Sequence, residues 1–118
     1  MNEIVIRGLR VSVFIGVPDA ERAAAQEIEI DVIIEPIVPF AELRDEISRT
    51  VDYAAAATRI VEVAGERSRQ LIETLADEIA QMLLREFPSR SVSVEIRKFI
   101  LPNTNHVAVR CRMSRGSC

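Results

Sequence analysis

The feature that most constrains this 118-residue chain is a segment in which apolar and acidic residues alternate. Between Gln26 and Glu35, isoleucine or valine occupies each even position from 28 to 34, and acidic residues take most odd positions. Successive side chains of a β-strand point to opposite faces, so the segment predicts a strand with one face in a core and the other in water. A strand of this kind requires an apolar layer to cover its buried face.

Three further segments show strand signals. The stretch from Glu3 to Ile15 alternates in its second half, and Gly8 is the position of a predicted bend or bulge. Because this strand nearly adjoins the next one in sequence, we expect the two to pair antiparallel. Residues 92–96 and 107–113 alternate in the same way and predict the last two strands.

Two helices are predicted between the second and third strands. The first, from Asp52 to about Arg67, is alanine-rich. The second, from about Leu71 to Phe87, has apolar residues at i, i+3, i+4 and i+7, and Pro88 ends it. Asp19 to Arg22 is a predicted short helical turn, and residues 37–51 form a long connection with little structure of their own.

The order ββααββ predicts an α+β fold in which both helices cover one face of a four-stranded antiparallel sheet. We expect one domain over residues 1–118, with a frayed tail from about residue 114. The other face of the sheet is charged, so it is wet or lines a polar lumen. Open sheet edges favour side-by-side association of copies, and we predict a homo-oligomeric β-barrel.

Composition excludes several classes of function. A net charge of −3 argues against nucleic-acid partners, and no apolar run reaches the ~20 residues that span a membrane. His106 is the only histidine and there are two cysteines, so one chain cannot form a typical zinc site, and we expect no metal. Thiols without a basic, apolar signal segment predict a cytoplasmic protein.

Lys98 is the first candidate for chemistry, because it is the only lysine among 15 basic residues and ends a predicted strand. It continues the even-numbered apolar series 92, 94 and 96, and so leaves the sheet on the buried side. It either reaches solvent as an ordinary edge lysine or projects into a cleft at the end of the sheet.

Four other residues are candidates or near-candidates, and from the residues alone only Glu73 has both a structural and a functional interpretation. Glu73, in the first turn of the second helix, either stabilises the helix dipole or recognises a heterocycle together with unpaired backbone N–H groups. Tyr53 is by default a packing residue, Glu21 a surface acid and His106 a solvated loop residue.

Together these residues carry a family resemblance. The chain resembles the dihydroneopterin aldolase family over about residues 4–113, with motifs in matching order and spacing: Ile15-Gly16-Val17, Glu21-Arg22 with Gln26, Thr50-Val51-Asp52-Tyr53-Ala54, Leu71-Ile72-Glu73-Thr74-Leu75-Ala76, and Lys98. The resemblance implies the tunnelling fold (T-fold), a tetramer or octamer with interfacial sites, a pterin substrate and no cofactor. It also implies retro-aldol cleavage of 7,8-dihydroneopterin in folate biosynthesis without a metal or a lysine Schiff base.

The same resemblance implies roles for the residues. Glu73 would anchor the pterin ring, with backbone groups near Leu71 and Ile72. Tyr53, from a neighbouring subunit, and Lys98 would act at the reacting side chain, and Glu21 would orient water or Lys98.

One departure keeps alternatives open. Phe99 follows Lys98 where the family typically has proline. Dihydroneopterin triphosphate 2′-epimerase also lacks that proline, and its substrate would favour basic residues such as Arg22, Arg97 or Arg110. Another dihydropterin-converting relative and a non-catalytic pterin-binding module are the remaining alternatives.

Overall fold

The computed structural model describes residues 1–116. Its elements follow the predicted order: β1 (Ile4–Val13), α1 (Asp19–Arg22), β2 (Gln26–Pro36), α2 (Tyr53–Gly65), α3 (Ile72–Glu86), β3 (Ser89–Lys98) and β4 (Val107–Ser114). Two single 3₁₀ turns, Phe40–Glu42 and Ile47–Arg49, interrupt the long connection between β2 and α2. The order of strands across the sheet is β1-β2-β3-β4, and all three pairings are antiparallel, which confirms the predicted fold.

A β-bulge at Gly8 divides β1 into two halves. The pairing jumps from Ile6 opposite Val32 to Leu9 opposite Ile30, so two residues of β1 face the single residue Asp31. Gly8 has φ = +69°, a left-handed conformation that favours glycine, and its N–H donates to Asp31 Oδ1 at 2.7 Å. The bulge therefore changes the parity of the strand, and even-numbered residues before it face the core together with odd-numbered residues after it.

The core lies between the sheet and the two long helices. Ile28, Ile30, Val32 and Ile34 of β2 are fully buried, as their alternation predicted. The buried stripe of α3 packs on β3 and β4, and α2 packs on β1. The N-terminus of α2 is capped by Asp52, whose Oδ1 accepts from the N–H groups of Ala54 and Ala55 at 3.1 Å.

The opposite face of the sheet carries an ion-pair network around Arg97. Its guanidinium donates to both carboxylate oxygens of Asp31 at 2.8 Å and also contacts Glu29 and Glu95. Arg97 is the strongest influence on Asp31 and lowers the pKa of that carboxyl to about 2, while partial burial opposes the shift. This face is therefore charged and internally paired.

The chain remains anchored beyond the position where fraying was expected. Ser114 belongs to β4, and Arg115 donates from its backbone to Arg90 O at 2.8 Å and from Nε to Ser89 O at 2.7 Å. Residues 117–118 of the predicted tail lie outside the described residues. Within residues 1–116, no helix is long and apolar enough to cross a membrane.

Candidate active site

Lys98 lies at the end of β3, on the helix-covered side of the sheet that its parity predicted. Its neighbour on that side, Ile96, is fully buried, whereas the side chain of Lys98 is 13% exposed. The Nζ atom of Lys98 lies 2.7 Å from Oε2 of Glu21. Lys98 therefore does not extend into solvent as an ordinary edge lysine. It forms a largely buried ion pair with Glu21.

Glu21 reaches Lys98 because the loop after β1 leaves space for its side chain. Gly16 has φ = +145°, and a Cβ atom built there would lie 2.1 Å from Oε1 of Glu21. Gln26, at the start of β2, donates from Nε2 to Glu21 Oε2 at 3.2 Å and to Ile15 O at 2.7 Å. Glycine at position 16 thus allows the carboxylate to lie against the backbone, and Gln26 holds it there.

The environment keeps Glu21 ionised. The hydrogen bond from Lys98 is the largest influence and lowers the pKa of Glu21, partial burial raises that pKa, and Gln26 together with the charge of Lys98 lowers it. The net direction is downward, so the pair consists of a carboxylate that accepts hydrogen bonds from an amine and an amide.

The start of α3 forms the second part of the candidate site. Leu71 is the N-cap residue and makes no side-chain cap, so its side chain does not satisfy the N–H groups of the first turn. Ile72 is buried and fixes the helix on the core, whereas Glu73 is exposed. Within residues 1–116 the Glu73 carboxylate has no hydrogen-bond or ion-pair partner. An exposed acceptor thus lies beside first-turn N–H groups that the N-cap side chain does not satisfy.

Arg69 joins these two parts of the site. Its backbone N–H donates to Phe14 O at 3.2 Å, and its carbonyl accepts from the N–H of Gly16 at 3.1 Å. This contact is an isolated parallel bridge between Ile15 and Arg69. The base of the loop that carries Glu21 is therefore paired with the segment that leads into Leu71 and Glu73.

The structure does not bring Tyr53 to the other candidates. Tyr53 begins α2 and is 63% exposed, and in the described part of the chain no hydrogen bond joins it to Lys98, Glu21 or Glu73. His106 lies in the loop before β4, as predicted, where its ring contacts Phe99 edge to face at a centroid distance of 6.0 Å. Phe99 itself is half exposed.

The three arginines considered for a triphosphate are engaged elsewhere. Arg22 donates from Nη1 to Gly16 O and Val17 O, both at 2.7 Å. Arg97 belongs to the network on the opposite face, and Arg110 on the same face donates to Glu95 at 2.5 Å.

Three residues that the sequence left without a role organise the site. Gly16 and Gln26 belong to the motifs that resemble the family, so a positional signal existed for both. Arg69 belongs to no such motif, and a lone charged residue in a loop gives no indication of burial. Chemically, the arrangement offers a paired amine and carboxylate for proton handling and a separate carboxylate for recognising N–H donors.

Comparisons with known proteins bear on the family and on the fold. Residues 4–112 match the model of the dihydroneopterin aldolase family. The chain is 31% identical over 104 residues to the dihydroneopterin aldolase of Streptomyces coelicolor, covering 88% of this chain and 87% of that protein. Among solved structures, it resembles the Escherichia coli dihydroneopterin aldolase in complex with neopterin, with a TM-score of 0.89, 25% identity and coverage of 97% and 100%. It also resembles the Burkholderia dihydroneopterin aldolase bound to guanine, with a TM-score of 0.77, 25% identity and coverage of 97% and 91%.

Proposed function

The chain belongs to the dihydroneopterin aldolase family, and we propose that its site cleaves 7,8-dihydroneopterin into 6-hydroxymethyl-7,8-dihydropterin and glycolaldehyde. This retro-aldol reaction is the activity of the family and a step of folate biosynthesis, and it makes the protein an aldehyde-lyase. The observation that carries the assignment of residues is the 2.7 Å ion pair between Lys98 and Glu21 at the end of β3.

The pterin ring binds at the start of α3 in this proposal. An aminopyrimidinone edge presents two adjacent N–H donors, which suit the exposed carboxylate of Glu73. Backbone groups at Leu71 and Ile72 complete the recognition of the ring. The neopterin- and guanine-bound relatives support this choice of ligand, because both molecules share that edge.

The reaction then occurs at the side chain of the substrate. Removal of the 2′-hydroxyl proton allows the C1′–C2′ bond to break, and its electron pair moves into the N5=C6 imine of the ring. Glycolaldehyde leaves with C2′ and C3′, and C1′ takes up a proton to give the hydroxymethyl product. Lys98, Tyr53 and a water molecule transfer these protons, and Glu21 holds Lys98 in place.

The substrate accepts the electrons itself, so the step needs neither a metal ion nor a Schiff base on Lys98. The position of Lys98 supports this, since its Nζ atom is held against Glu21 by a charge-assisted hydrogen bond. A role in proton transfer makes use of that hydrogen bond.

The site is completed by a neighbouring copy in a tetramer or octamer. Tyr53 and Glu73 are exposed in one chain, and apolar side chains next to the site residues in sequence are exposed as well: Val17, Leu71, Phe99, Ile100 and Leu101. Exposed apolar residues of this kind are typical of interfaces. Closure of several sheets into a barrel would cover them and would also pair the open edges of β1 and β4. A cytoplasmic location stays a prediction.

Cleavage of the free pterin is favoured over epimerisation of its triphosphate. A triphosphate requires several uncommitted basic groups, yet Arg22 is bound to backbone carbonyls and Arg97 lies in the network on the opposite face. Phe99, in place of the usual proline, is the feature that favours the epimerase.

The test is to incubate the protein with 7,8-dihydroneopterin and, separately, with its triphosphate, and to separate the products by chromatography. We expect glycolaldehyde and the hydroxymethyl product from the free pterin, with a turnover number (kcat) at least ~100-fold lower in Lys98→Ala. Epimerisation of the triphosphate without cleavage would favour the second activity. Binding of 7,8-dihydroneopterin without any conversion would identify a non-catalytic module.

A further inference from the structure

We propose that Arg69 is a positioning residue that fixes the distance between the ring-binding end of α3 and the Lys98–Glu21 pair. This inference rests on the proposed function, because it assigns to Arg69 the relative placement of the two parts of that site. Arg69 touches no substrate in this proposal and acts through the backbone on either side of it.

The backbone of Arg69 supplies the connection. Its N–H and carbonyl bond to Phe14 and Gly16, which lie on either side of the bridge residue Ile15. Glu21 follows Gly16 by five residues and lies against it, and Leu71 follows Arg69 by two residues. A shift of Arg69 relative to the helices therefore moves the loop of Glu21 with respect to α3.

The side chain of Arg69 prevents such a shift. Its Nη1 atom donates to Ala64 O at 3.2 Å and Arg67 O at 3.0 Å, and Nη2 donates to Val63 O at 2.9 Å. Its Nε atom donates to Oε2 of Glu78 on α3 at 2.7 Å. The same guanidinium thus closes the carbonyl end of α2 and is bound to α3.

The guanidinium makes these four hydrogen bonds, and Nη2 also forms an ion pair with Glu78 Oε2 at 2.6 Å. Arginine has five N–H donors in a fixed plane, whereas lysine has three on a single nitrogen. The side chain is 2% exposed, so it was removed from water to make these bonds. A lysine at this position keeps the charge opposite Glu78 but cannot bond to three carbonyls and the carboxylate together.

The expected functional effect follows from the division of the site. Ring recognition depends on Glu73 and the backbone at Leu71 and Ile72, whereas turnover requires the ring and the Lys98–Glu21 pair to be correctly spaced. Guanine, which presents the same edge as the pterin but has no side chain to cleave, reports on the first part only. Misplacement of reacting groups by about 1 Å costs up to ~100-fold in rate.

The experiment compares Arg69→Lys and Arg69→Ala with the wild type and with Arg59→Ala as a matched control. Arg59 also joins α2 to α3, through hydrogen bonds to Glu86 at 2.8 and 2.9 Å, but at the end of α3 remote from Glu73. For each protein we measure kcat and KM for 7,8-dihydroneopterin, the Kd of guanine by calorimetry, and amide hydrogen exchange.

We expect Arg69→Lys to lower kcat ~10- to 100-fold, to change the guanine Kd by less than ~3-fold and to accelerate amide exchange at Gly16. Arg59→Ala should keep the wild-type kcat and Gly16 exchange. Equal losses of kcat in the Arg69 and Arg59 variants, or a guanine affinity that falls in parallel with kcat, would overturn the positioning role. If the wild type releases no glycolaldehyde, the proposed function fails instead. In that case amide exchange at Gly16 is the remaining measurement of the contact between Arg69 and the loop that carries Glu21. Unchanged exchange in Arg69→Ala would then reject that contact as a constraint on the loop.

Discussion

Replacing Gly16 with alanine tests the geometry of the site at a single atom. The added Cβ would lie 2.1 Å from Oε1, 2.3 Å from Cδ and 2.6 Å from Cγ of Glu21, whereas real Cβ contacts essentially never fall below 3.0 Å. The flexible carboxylate must withdraw by about 1 Å. That movement breaks the 2.7 Å contact with Lys98 and the 3.2 Å hydrogen bond from Gln26.

Two separate costs follow from this substitution. The backbone at Gly16 has φ = +145°, which side chains rarely adopt, so we expect a loss of about 1–3 kcal/mol in the free energy of unfolding. The displacement of Glu21 leaves Lys98 without its partner, and we expect kcat to fall ~10- to 100-fold. Binding of guanine should stay within ~3-fold of the wild type, because Glu73 is untouched.

The assay follows glycolaldehyde release from 7,8-dihydroneopterin at 25 °C, with stability measured by urea denaturation. Gly65→Ala is the matched control, because its Cβ would meet nothing within 4 Å and its φ lies outside the left-handed region. It should be neutral or stabilising by up to about 1 kcal/mol. Glu21→Ala and the double variant with Gly16→Ala complete a thermodynamic cycle.

The cycle separates the collision from the backbone strain. With Glu21 removed, Gly16→Ala should lower kcat no further, while it still lowers stability. Wild-type kcat in Gly16→Ala, or losses of kcat that multiply in the double variant, would refute the inference that Gly16 acts by making room for Glu21.

Three further outcomes are expected. Glu73→Gln should weaken guanine binding ~5- to 150-fold by calorimetry, because an amide presents a donor where the ring also donates; unchanged affinity would remove Glu73 as the anchor. Asp31 has a pKa of about 2 in the folded protein against 3.8 as its ordinary value, so about 2 kcal/mol of stability present above pH 5 is lost as the pH falls toward 2. Asp31→Asn should therefore be less stable than the wild type at pH 7 and show a flatter decline between pH 5 and pH 2 in urea denaturation, and an equally steep decline would contradict the pairing with Arg97. Finally, we expect the Tyr53→Ala and Lys98→Ala variants to be inactive when each is assayed alone. If Tyr53 serves a site of a neighbouring subunit, a mixture of the two variants that is unfolded and refolded together should regain activity. No recovery would place both residues in the site of one chain.

The fold could be predicted from side-chain periodicity wherever the backbone is regular. The alternation in β2 and the helical stripe of α3 specified which faces are buried. The first half of β1 lacks a clear alternation because Val5, which is exposed on the outward face, is as apolar as its inward-facing neighbours Ile4 and Ile6. The carbonyl contacts that hold Arg115 are likewise ones that no local pattern reveals.

The candidate site was predictable only in part, because local patterns do not reveal contacts between residues that are distant in sequence. Parity placed Lys98 on the correct side of the sheet, and helix signals placed Glu73 in a first turn. The pairing of Lys98 with Glu21 joins residues far apart in sequence, so no spacing rule could indicate it, and only the family resemblance implied it. The partner of Tyr53 stays a prediction, because a single chain leaves that side chain exposed.

The bulge in β1 also bears on how copies of this chain could be arranged. A bulge bends its strand and increases its twist, and β1 is an outer strand of the sheet. The angle at which the β1 edge could pair with another sheet is thus set partly by the one inserted residue of the bulge. In a ring built from repeated sheets, that angle governs how many members close the circle. Deletion of the single residue Gly8 would then be expected to change the number of subunits in such a ring.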